Sequence, residues 1–296
     1  MFVKKITSTS VAIDTPAKIN LFLDVLNKRE DGFHNINSLF QAVSLFDHLT
    51  FEIQEKPELN LEISGNSQLE SNDDNLVSKA YNFMRDKFDF NRGLKVKLEK
   101  NIPIAAGLAG GSSDAAATIL ACNLLFDLEL TYEGMAGCGL HIGSDIPFFF
   151  SSGQAIVTGQ GELIENSSYP LDYELVIVKP EISISTAESY KALKRNLTKQ
   201  KNPFKLGTCQ TVDRYITSLK EAGNDFEEVH LLSYPEIGRI KDGLLSAGAK
   251  LARMSGSGPC VFGMFSKLPD SKEDLNRNNM DWQIYFVKPI QLVEYC

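Results

Sequence analysis

The sequence has few cysteines, and their spacing excludes two kinds of cysteine-based scaffold. The five cysteines are odd in number and scattered, with no C-x-x-C pair among them: Cys122, Cys138, Cys209, Cys260 and Cys296. Neither a disulfide framework nor a structural zinc site is therefore indicated. We expect reduced thiols, most of them buried as small apolar side chains, in a cytoplasmic protein.

Long apolar runs and an excess of positive charge are also missing. No stretch approaches the roughly 18 apolar residues that a membrane helix needs, and residues 1–14 lack the apolar run of a secretory signal. The 30 Lys and Arg residues face 38 Asp and Glu residues, which gives a formal charge of −8. Nucleic acids and anionic membranes favour the opposite sign, so neither is an expected partner.

Two familiar phosphate-binding motifs are absent as well. The sequence contains no G-x-G-x-x-G, and its most glycine-rich segment lacks the lysine of a G-x-x-x-x-G-K-[ST] loop. A dinucleotide-binding fold and a P-loop are therefore both unsupported. What is present is an ordinary globular composition, with 43% apolar and 23% charged residues, in a length that suits one large domain or two modest ones.

Hydrophobic patterns predict both strands and helices. Apolar residues alternate over 59–63 and 94–98, which indicates half-buried strands, and a helical face spans 76–88 with Asp73 or Asp74 as its N-cap. Further helices are predicted at 187–197, 212–222 and 237–247, and further strands at 175–178, 261–265 and 282–287.

These elements do not alternate regularly, so the predicted class is α+β rather than a doubly wound sheet. A zone of glycines, serines and a proline at 159–170 marks a boundary, which divides the chain into lobes 1–165 and 166–296. We expect a ligand in the crevice between the lobes.

The strongest functional signal is the segment Gly107-Leu108-Ala109-Gly110-Gly111-Ser112-Ser113. Its glycines permit positive φ angles and a close approach of the backbone to a ligand, and Ser112 or Ser113 can cap the alanine-rich helix that follows. The unpaired N–H groups and the positive dipole end of that helix favour an anion. We predict a bound phosphate; the alternative is a tight turn whose small residues serve helix packing.

Three further motifs are weak when taken singly. Lys18 lies in an apolar, strand-like run over 16–25. The ordinary interpretation is a lysine on an edge strand whose side chain reaches solvent. Asp145, in the segment 143–150, fits an Asx turn or a helix cap. Residues 254–265, MSGSGPCVFGMF, fit a plain turn before a strand.

The order of the motifs is more specific than any one of them. A lysine in PAKIN, the loop PIAAGLAGGSS, a G-S-D-x-P and a late S-G-S-G-P together resemble the GHMP kinase superfamily. Residues 28–34 (KREDGFH), 185–190 (STAESY) and 224–227 (NDFE) resemble its branch that phosphorylates a cytidylated methylerythritol. The resemblance runs from about residue 16 to residue 265.

The resemblance implies transfer of the γ-phosphoryl group of ATP to the 2-hydroxyl of 4-CDP-2-C-methyl-D-erythritol, in the non-mevalonate route to isoprenoids. Mg²⁺ would neutralise charge between the phosphates. Asp145 would accept the hydroxyl proton, and Lys18 would hold the hydroxyl and the γ-phosphate. The implied ATP-binding residues are Pro103, Ala106, Gly107, Leu108, Ala109, Gly110, Gly111, Ser112 and Ser113, with Asn75 at the adenine.

The resemblance also implies where the acceptor binds. Phe33 and Tyr190 match the positions whose rings sandwich the cytosine, and His34 matches the residue that reads its hydrogen-bonding edge. Asn20 and Thr186 match polar contacts near the methylerythritol and the base, and Asp145 meets the acceptor hydroxyl. Without the resemblance, core packing is the ordinary interpretation of both rings.

Four features depart from the pattern of the family. Phe33 replaces a tyrosine, which keeps stacking but removes a phenolic hydrogen bond, and alanines at 105–106 replace glycine at the start of the loop. Ser144 adds a hydroxyl beside the predicted base, and Pro259 removes an N–H donor from the late loop. None of them alters the predicted catalytic pair.

The expected fold is therefore a two-lobed α+β GHMP kinase, with an N-terminal ATP-binding lobe, a C-terminal lobe on the substrate side and the active site in the cleft. One alternative is a homoserine or mevalonate kinase of the same superfamily, which the cytosine-reading residues disfavour. Another is an inactive nucleotide-binding sensor, which the retained Lys18 and Asp145 disfavour. The expected partner is a small molecule, and family members are monomers or weak homodimers.

Overall fold

The computed structural model describes residues 1–65, 69–193, 202–268 and 281–292. Its strands form two sheets, one of seven strands and one of four. The strands are β1 (Phe2–Ile6), β2 (Ser10–Lys28), β3 (His34–Gln54), β4 (Leu59–Ser64), β5 (Gly93–Glu99), β6 (Gln154–Gly159), β7 (Leu163–Asn166), β8 (Glu174–Lys179), β9 (Leu251–Met254), β10 (Val261–Phe265) and β11 (Gln283–Val287). The helices are α1 (Leu76–Phe88), α2 (Gly110–Leu125), α3 (Tyr132–Leu140), α4 (Thr186–Ala192), α5 (Val212–Lys220), α6 (Glu227–Ser233) and α7 (Pro235–Ser246), and a 3₁₀ helix spans Ile146–Phe150.

The larger sheet is built around the long antiparallel hairpin of β2 and β3, which have 19 and 21 residues. The second edge of β3 is shared: its first half pairs with β6 and its last third pairs with β5. The strand order is therefore β1-β2-β3-β5-β4, with β6 and β7 as a branch. The β4–β5 pair is parallel, and the other pairs are antiparallel.

Helices α1 and α2 cover one face of the larger sheet, and α3 packs against α2 and the 3₁₀ helix. Val11, Ile13 and Phe51 of the sheet pack in one apolar cluster with Tyr81 of α1 and the alanines of α2. Most residues of α2 are buried, since this helix lies between the sheet and α1. Alanine permits such close approach of a helix on several sides, which explains the alanine-rich sequence after the glycine loop.

The smaller sheet is antiparallel, with the order β11-β8-β10-β9. Leu175 and Ile177 of β8 pack toward Leu21 of the larger sheet, whereas Val176 and Val178 pack on the helical side with α7. A strand covered on both faces needs apolar side chains at every position. This explains the continuous apolar run that predicted a buried strand at 175–178.

The predicted strands and helices are confirmed within a few residues wherever the structure describes them. The helix predicted at 187–197 is α4, Thr186–Ala192, and its predicted end beyond residue 193 lies outside the described residues. Cys122, Cys138, Cys209 and Cys260 are buried and free, and Cys296 lies outside the described residues. Across the described part of the chain, every helix is too short or too polar to cross a membrane.

Two predicted helix caps are wrong. Asn75, not Asp73 or Asp74, is the N-cap of α1, and its Oδ1 accepts a hydrogen bond from the Val77 N–H at 3.0 Å. Helix α2 begins at Gly110, so Ser112 and Ser113 lie in its first turn and cap nothing. The chain enters α2 through Ala109, a left-handed residue with φ 54°. The lobe boundary at 165 stays a prediction.

Candidate active site

A cavity of about 1350 Å³ opens where segments from both sheets meet. Strand β2, the glycine-rich loop and the 3₁₀ segment contribute Lys18, Gly107 and Asp145. The part of the chain around the smaller sheet contributes Thr186 of α4 and Ser257 of the late loop. The cavity therefore brings together the four motifs that were weak or ambiguous when considered separately.

Lys18 and Asp145 form an ion pair at the wall of this cavity. The Lys18 Nζ lies 3.5 Å from the Asp145 Oδ2, and the two side chains are 4% and 34% exposed. Lys18 is therefore not the edge-strand lysine of the ordinary interpretation, because its ammonium is buried. Burial lowers the pKa of Lys18, and the Asp145 carboxylate opposes that effect.

Two further contacts hold the Lys18 ammonium in place. Its Nζ donates to the Asn20 Oδ1 at 2.8 Å and lies 4.0 Å from the centre of the Phe40 ring. The Asn20 side chain is itself oriented, since its Nδ2 donates to the Ser38 Oγ at 3.0 Å. The cation thus has one fixed position beside a carboxylate that reaches the cavity.

The glycine-rich loop presents the N-terminus of α2 to the same cavity. Gly107 has a φ of +74°, and a Cβ atom built there would lie 2.2 Å from the Ser255 carbonyl oxygen, so a side chain is excluded. Gly110, Gly111 and Ser112 line the cavity. The first N–H groups of a helix have no partner within it, so this end can bind an anion.

A buried ion cluster joins the two ends of the glycine-rich loop. Lys100 precedes the loop, and its Nζ donates to Asp47 and, at 2.8 Å, to the Oδ2 of Asp114 in α2. The Asp47 Oδ1 also accepts the N–H groups of Asn101 and Ile102, at 2.6 and 2.8 Å. Burial raises the pKa of Asp114 to about 7, and the Lys100 ammonium opposes that rise. The cluster fixes both ends of the loop from beneath.

The late loop, residues 255–258, contacts both the glycine-rich loop and strand β2. The Ser255 Oγ donates to the Gly107 carbonyl oxygen at 2.9 Å and accepts the Asn20 N–H at 3.1 Å. The Ser257 Oγ lies 2.8 Å from the Thr186 Oγ1. This loop is therefore not a plain turn before a strand, because it connects the predicted phosphate and acceptor regions.

Aromatic side chains also line the cavity. The rings of His34 and Tyr190 are stacked, with 4.8 Å between their centres and 13° between their planes. Burial raises the pKa of Tyr190 to about 12, and burial with the charge of Lys28 lowers the pKa of His34. Both side chains are therefore neutral at pH 7 and can exchange hydrogen bonds with a base. Phe33 is exposed at the rim.

Most of the residues singled out from the sequence line the cavity: Lys18, Asn20, Phe33, His34, Asn75, Pro103, Ala106, Gly107, Ala109, Gly110, Gly111, Ser112, Asp145, Thr186 and Tyr190. Leu108 and Ser113 do not, since both are buried behind its wall. Asn75 already uses its side chain, whose Nδ2 donates to the Glu70 carbonyl oxygen at 3.0 Å while its Oδ1 caps α1.

Several residues at the site were missed. Ser255 and Ser257 lie in a motif that was recognised, but no role was assigned to either. Phe40 and Lys100 carried no signal, because a single aromatic residue or lysine in a strand is ordinary. Their positions depend on partners far along the chain, such as Lys18 for Phe40 and Asp114 for Lys100.

The chain is similar to known proteins along most of its length. The model of the GHMP kinases N terminal domain matches residues 75–153, and that of the GHMP kinases C terminal matches residues 204–279. A 4-diphosphocytidyl-2-C-methyl-D-erythritol kinase from Bacillus cereus and one from Bacillus anthracis are each 41% identical over 253 residues. Each alignment covers 85% of this chain and 87% of the relative.

Solved structures match over nearly the whole chain. A 4-(cytidine 5'-diphospho)-2C-methyl-D-erythritol kinase superposes with a TM-score of 0.73 at 28% identity, covering 94% of this chain and 99% of that chain. A homoserine kinase from Cytophaga hutchinsonii also reaches a TM-score of 0.73, covering 98% of both chains. Its 16% identity shows the shared fold alone.

The two-sheet fold and the two family models define a GHMP kinase. The chain belongs to this family and, within it, to the 4-diphosphocytidyl-2-C-methyl-D-erythritol kinases. It is an enzyme, and as a GHMP kinase it is expected to use ATP.

Proposed function

We propose that this kinase phosphorylates the 2-hydroxyl of 4-CDP-2-C-methyl-D-erythritol with ATP, giving the 2-phosphate and ADP, in the non-mevalonate route to isopentenyl diphosphate. The Lys18–Asp145 pair carries the proposal, because it lines one cavity together with the N-terminus of α2 and the rings of His34 and Tyr190. The names of relatives that are 41% identical support the same acceptor.

Asp145 and Lys18 have different roles in the proposed reaction. The acceptor oxygen forms a bond to the γ-phosphorus while the bond from that phosphorus to the β-bridging oxygen breaks, and ADP leaves. Asp145 accepts the proton of the acceptor hydroxyl, and the Lys18 ammonium stabilises negative charge on the transferring group. Phosphoryl transfer needs mainly positioning and charge stabilisation, and the fixed ammonium of Lys18 provides both.

ATP would lie with its phosphates at the N-terminus of α2 and its adenine toward Asn75. A group of three or more His, Cys, Asp or Glu side chains that could hold a metal is absent from the described residues. Mg²⁺ prefers phosphate oxygens and water to an all-protein cage, so the phosphates of ATP at the N-terminus of α2 would be its main ligands. When bound, Mg²⁺ would neutralise charge on the phosphates.

The acceptor would extend from Asp145 toward the aromatic side chains. Tyr190 and Phe33 would stack on the cytosine, and the neutral His34 would hydrogen-bond its edge. In this structure His34 itself covers one face of Tyr190, so a base that stacks on that face displaces the imidazole toward the cytosine edge. Asn20 and Thr186 would contact the polyol and the base.

The same proposal includes the roles of the two lobes, the cellular location and the oligomeric state. We assign ATP binding to the lobe 1–165, and we assign the acceptor side to the lobe 166–296, which meets Asn20, Phe33 and His34 of the first lobe across the cavity. We also expect a cytoplasmic enzyme that acts as a monomer or a weak homodimer. Gel filtration with light scattering would measure the oligomeric state directly.

Phosphorus NMR of the reaction products tests the proposed reaction. Purified protein with Mg-ATP is given the cytidylated methylerythritol, homoserine or mevalonate in parallel samples. A new phosphomonoester signal together with ADP, only with the cytidylated substrate, is the expected result. Product from homoserine or mevalonate would leave the assignment of the fold unchanged and refute the assignment of the cytosine site. Binding of ATP without any product would favour the inactive sensor.

A further inference from the structure

The segment Asn224-Asp225-Phe226-Glu227 lies buried beside the site, but the proposed reaction gives it no role. Asn224 is 3% exposed and Phe226 is 1% exposed, so the segment belongs to the interior. Asn224 does not line the cavity. Phe226 does line it, and each of the four residues contacts a further segment of the cavity wall.

Asn224 holds the backbone of the late loop. Its Nδ2 donates to the carbonyl oxygens of Met254 and Gly256, at 2.8 Å each, and its Oδ1 accepts the Phe226 N–H at 3.0 Å. Two carbonyl acceptors and one N–H donor require a carboxamide. Glu227 adds a further contact, since its Oε1 accepts the Met254 N–H at 2.7 Å.

The loop that Asn224 holds is hydrogen-bonded to the catalytic strand. Ser255, between the two carbonyls, accepts the Asn20 N–H on its Oγ at 3.1 Å. The Asn20 Oδ1 in turn accepts a hydrogen bond from the Lys18 Nζ at 2.8 Å. A short series of contacts therefore leads from Asn224 to the ammonium that pairs with Asp145.

The other two residues of the segment contact the acceptor side. The Asp225 Oδ2 accepts the Val25 N–H at 2.8 Å, which ties the segment to the end of β2 that leads to Phe33. Phe226 packs against the ring of Tyr190, with 5.0 Å between the centres and 87° between the planes. The segment thus touches the late loop, strand β2 and the predicted base site at once.

We propose that Asn224 is a positioning residue of this kinase, which fixes the late loop and, through Ser255 and Asn20, the position of Lys18. The inference rests on the proposed function for its kinetic consequence. A misplacement of about 1 Å caused by a mutation away from the chemistry can cost about 100-fold in rate. Asn224 therefore acts on turnover without touching a substrate.

The test compares two asparagines whose side-chain amides each hydrogen-bond to the backbone of a loop. Asn123 also holds a loop through its side-chain amide, which bonds the backbone N–H and carbonyl of Leu130 at 2.9 and 3.2 Å, but it does not line the cavity. Asn224→Ala and Asn123→Ala are compared for kcat, for the KM of each substrate and for the midpoint of thermal unfolding. Hydrogen exchange of the amides at 255–258 is measured on the same samples.

Asn224→Ala is expected to lower kcat roughly 10- to 100-fold with small changes in either KM, and to speed exchange at 255–258. Asn123→Ala is expected to retain kcat while losing comparable thermal stability. Ser255→Ala, a milder change, should lower kcat, and the double variant should lose no more than the larger single loss, since both act in one series.

Wild-type kcat in a folded Asn224→Ala variant, an equal loss in Asn123→Ala, or multiplicative losses in the double variant would each overturn the inference. Absence of product from the wild-type enzyme would instead refute the proposed function. In that case unchanged exchange at 255–258 in Asn224→Ala would still overturn the proposed role.

Discussion

At the scale of single residues, the site depends on keeping a charge on a buried lysine. Burial disfavours an ammonium, and the surroundings of Lys18 offset this with the Asp145 carboxylate, the side-chain Oδ1 of Asn20 and the face of the Phe40 ring. Asp145 remains partly exposed to the cavity, so it can also meet a substrate. One ion pair therefore supplies both a fixed cation and a proton acceptor.

Asp145→Asn is expected to lower kcat by about 100-fold or more, because an amide cannot accept the hydroxyl proton. The affinity for ATP should stay close to wild type, since the helix-end site is unchanged. Initial rates and calorimetric ATP titration measure the two effects. Asp14→Asn, on the same strand as Lys18 and paired with Lys4, is the matched control and should retain full activity. Wild-type turnover in folded Asp145→Asn would remove this residue from the mechanism.

Tyr190→Ala is expected to weaken binding of the cytidylated substrate by about 1–3 kcal/mol, the cost of a lost base–aromatic stack. Tyr190→Phe keeps the ring and should bind the substrate nearly as well, which separates stacking from the phenolic hydroxyl. Calorimetric titration with the substrate and, separately, with ATP gives the comparison. A loss confined to ATP would show that the base site was assigned to the wrong part of the cavity.

At the scale of elements, the glycine-rich loop is held by a buried cluster rather than by helix caps. Helix α2 begins without a side-chain cap. Lys100, before the loop, bonds to Asp114, after the loop, and to Asp47 of β3. Two carboxylates share one lysine in an interior that penalises charge. This makes one carboxyl group of the cluster prone to carry a proton.

The pH dependence of stability tests this cluster. The pKa of Asp114 is raised in the folded protein to about 7, so between pH 4 and pH 7 the folded state binds more protons than the unfolded state. The contribution of Asp114 to the free energy of unfolding is therefore largest below about pH 4, and it is lost as the pH rises through about 7. Asp114→Asn lacks the titration, so its stability relative to wild type should increase over that range. Urea unfolding at several pH values measures it, and a relative stability that decreases with pH would contradict the assignment.

Elements were easier to predict from the sequence than the details that complete the site. The run at 175–178 identified β8, because a strand buried on both faces has a local signature. The cap of α1 was misplaced by one or two residues, since Asp73, Asp74 and Asn75 are all good caps and only the backbone geometry selects among them. The burial of Lys18 could not be predicted, because Phe40 and Asp145 reach it from distant segments.

At the scale of the whole molecule, the two sheets share an apolar cluster. Leu21 and Leu39 of the larger sheet pack with Ile177 and Phe262 of the smaller one. The contacts of Ser255 with Gly107 and Asn20 lie at the edge of the same junction. A site assembled from both sheets keeps its geometry only while this junction is intact, so stability and activity are coupled through it.

The shared cluster predicts that the two sheets unfold together. The single tryptophan, Trp282, lies beside β11 and donates to the Glu236 Oε1 at 2.7 Å, so its fluorescence reports on the smaller sheet. Far-ultraviolet circular dichroism reports on both sheets, and coincident urea transitions are the expected result. Phe262→Ala should destabilise the protein by about 3–5 kcal/mol and shift both transitions equally, whereas Leu232→Ala, at a site 84% exposed, should shift neither. A fluorescence transition that precedes the loss of circular dichroism would show that the lobes unfold independently. Substrate binding would then have to align the two lobes.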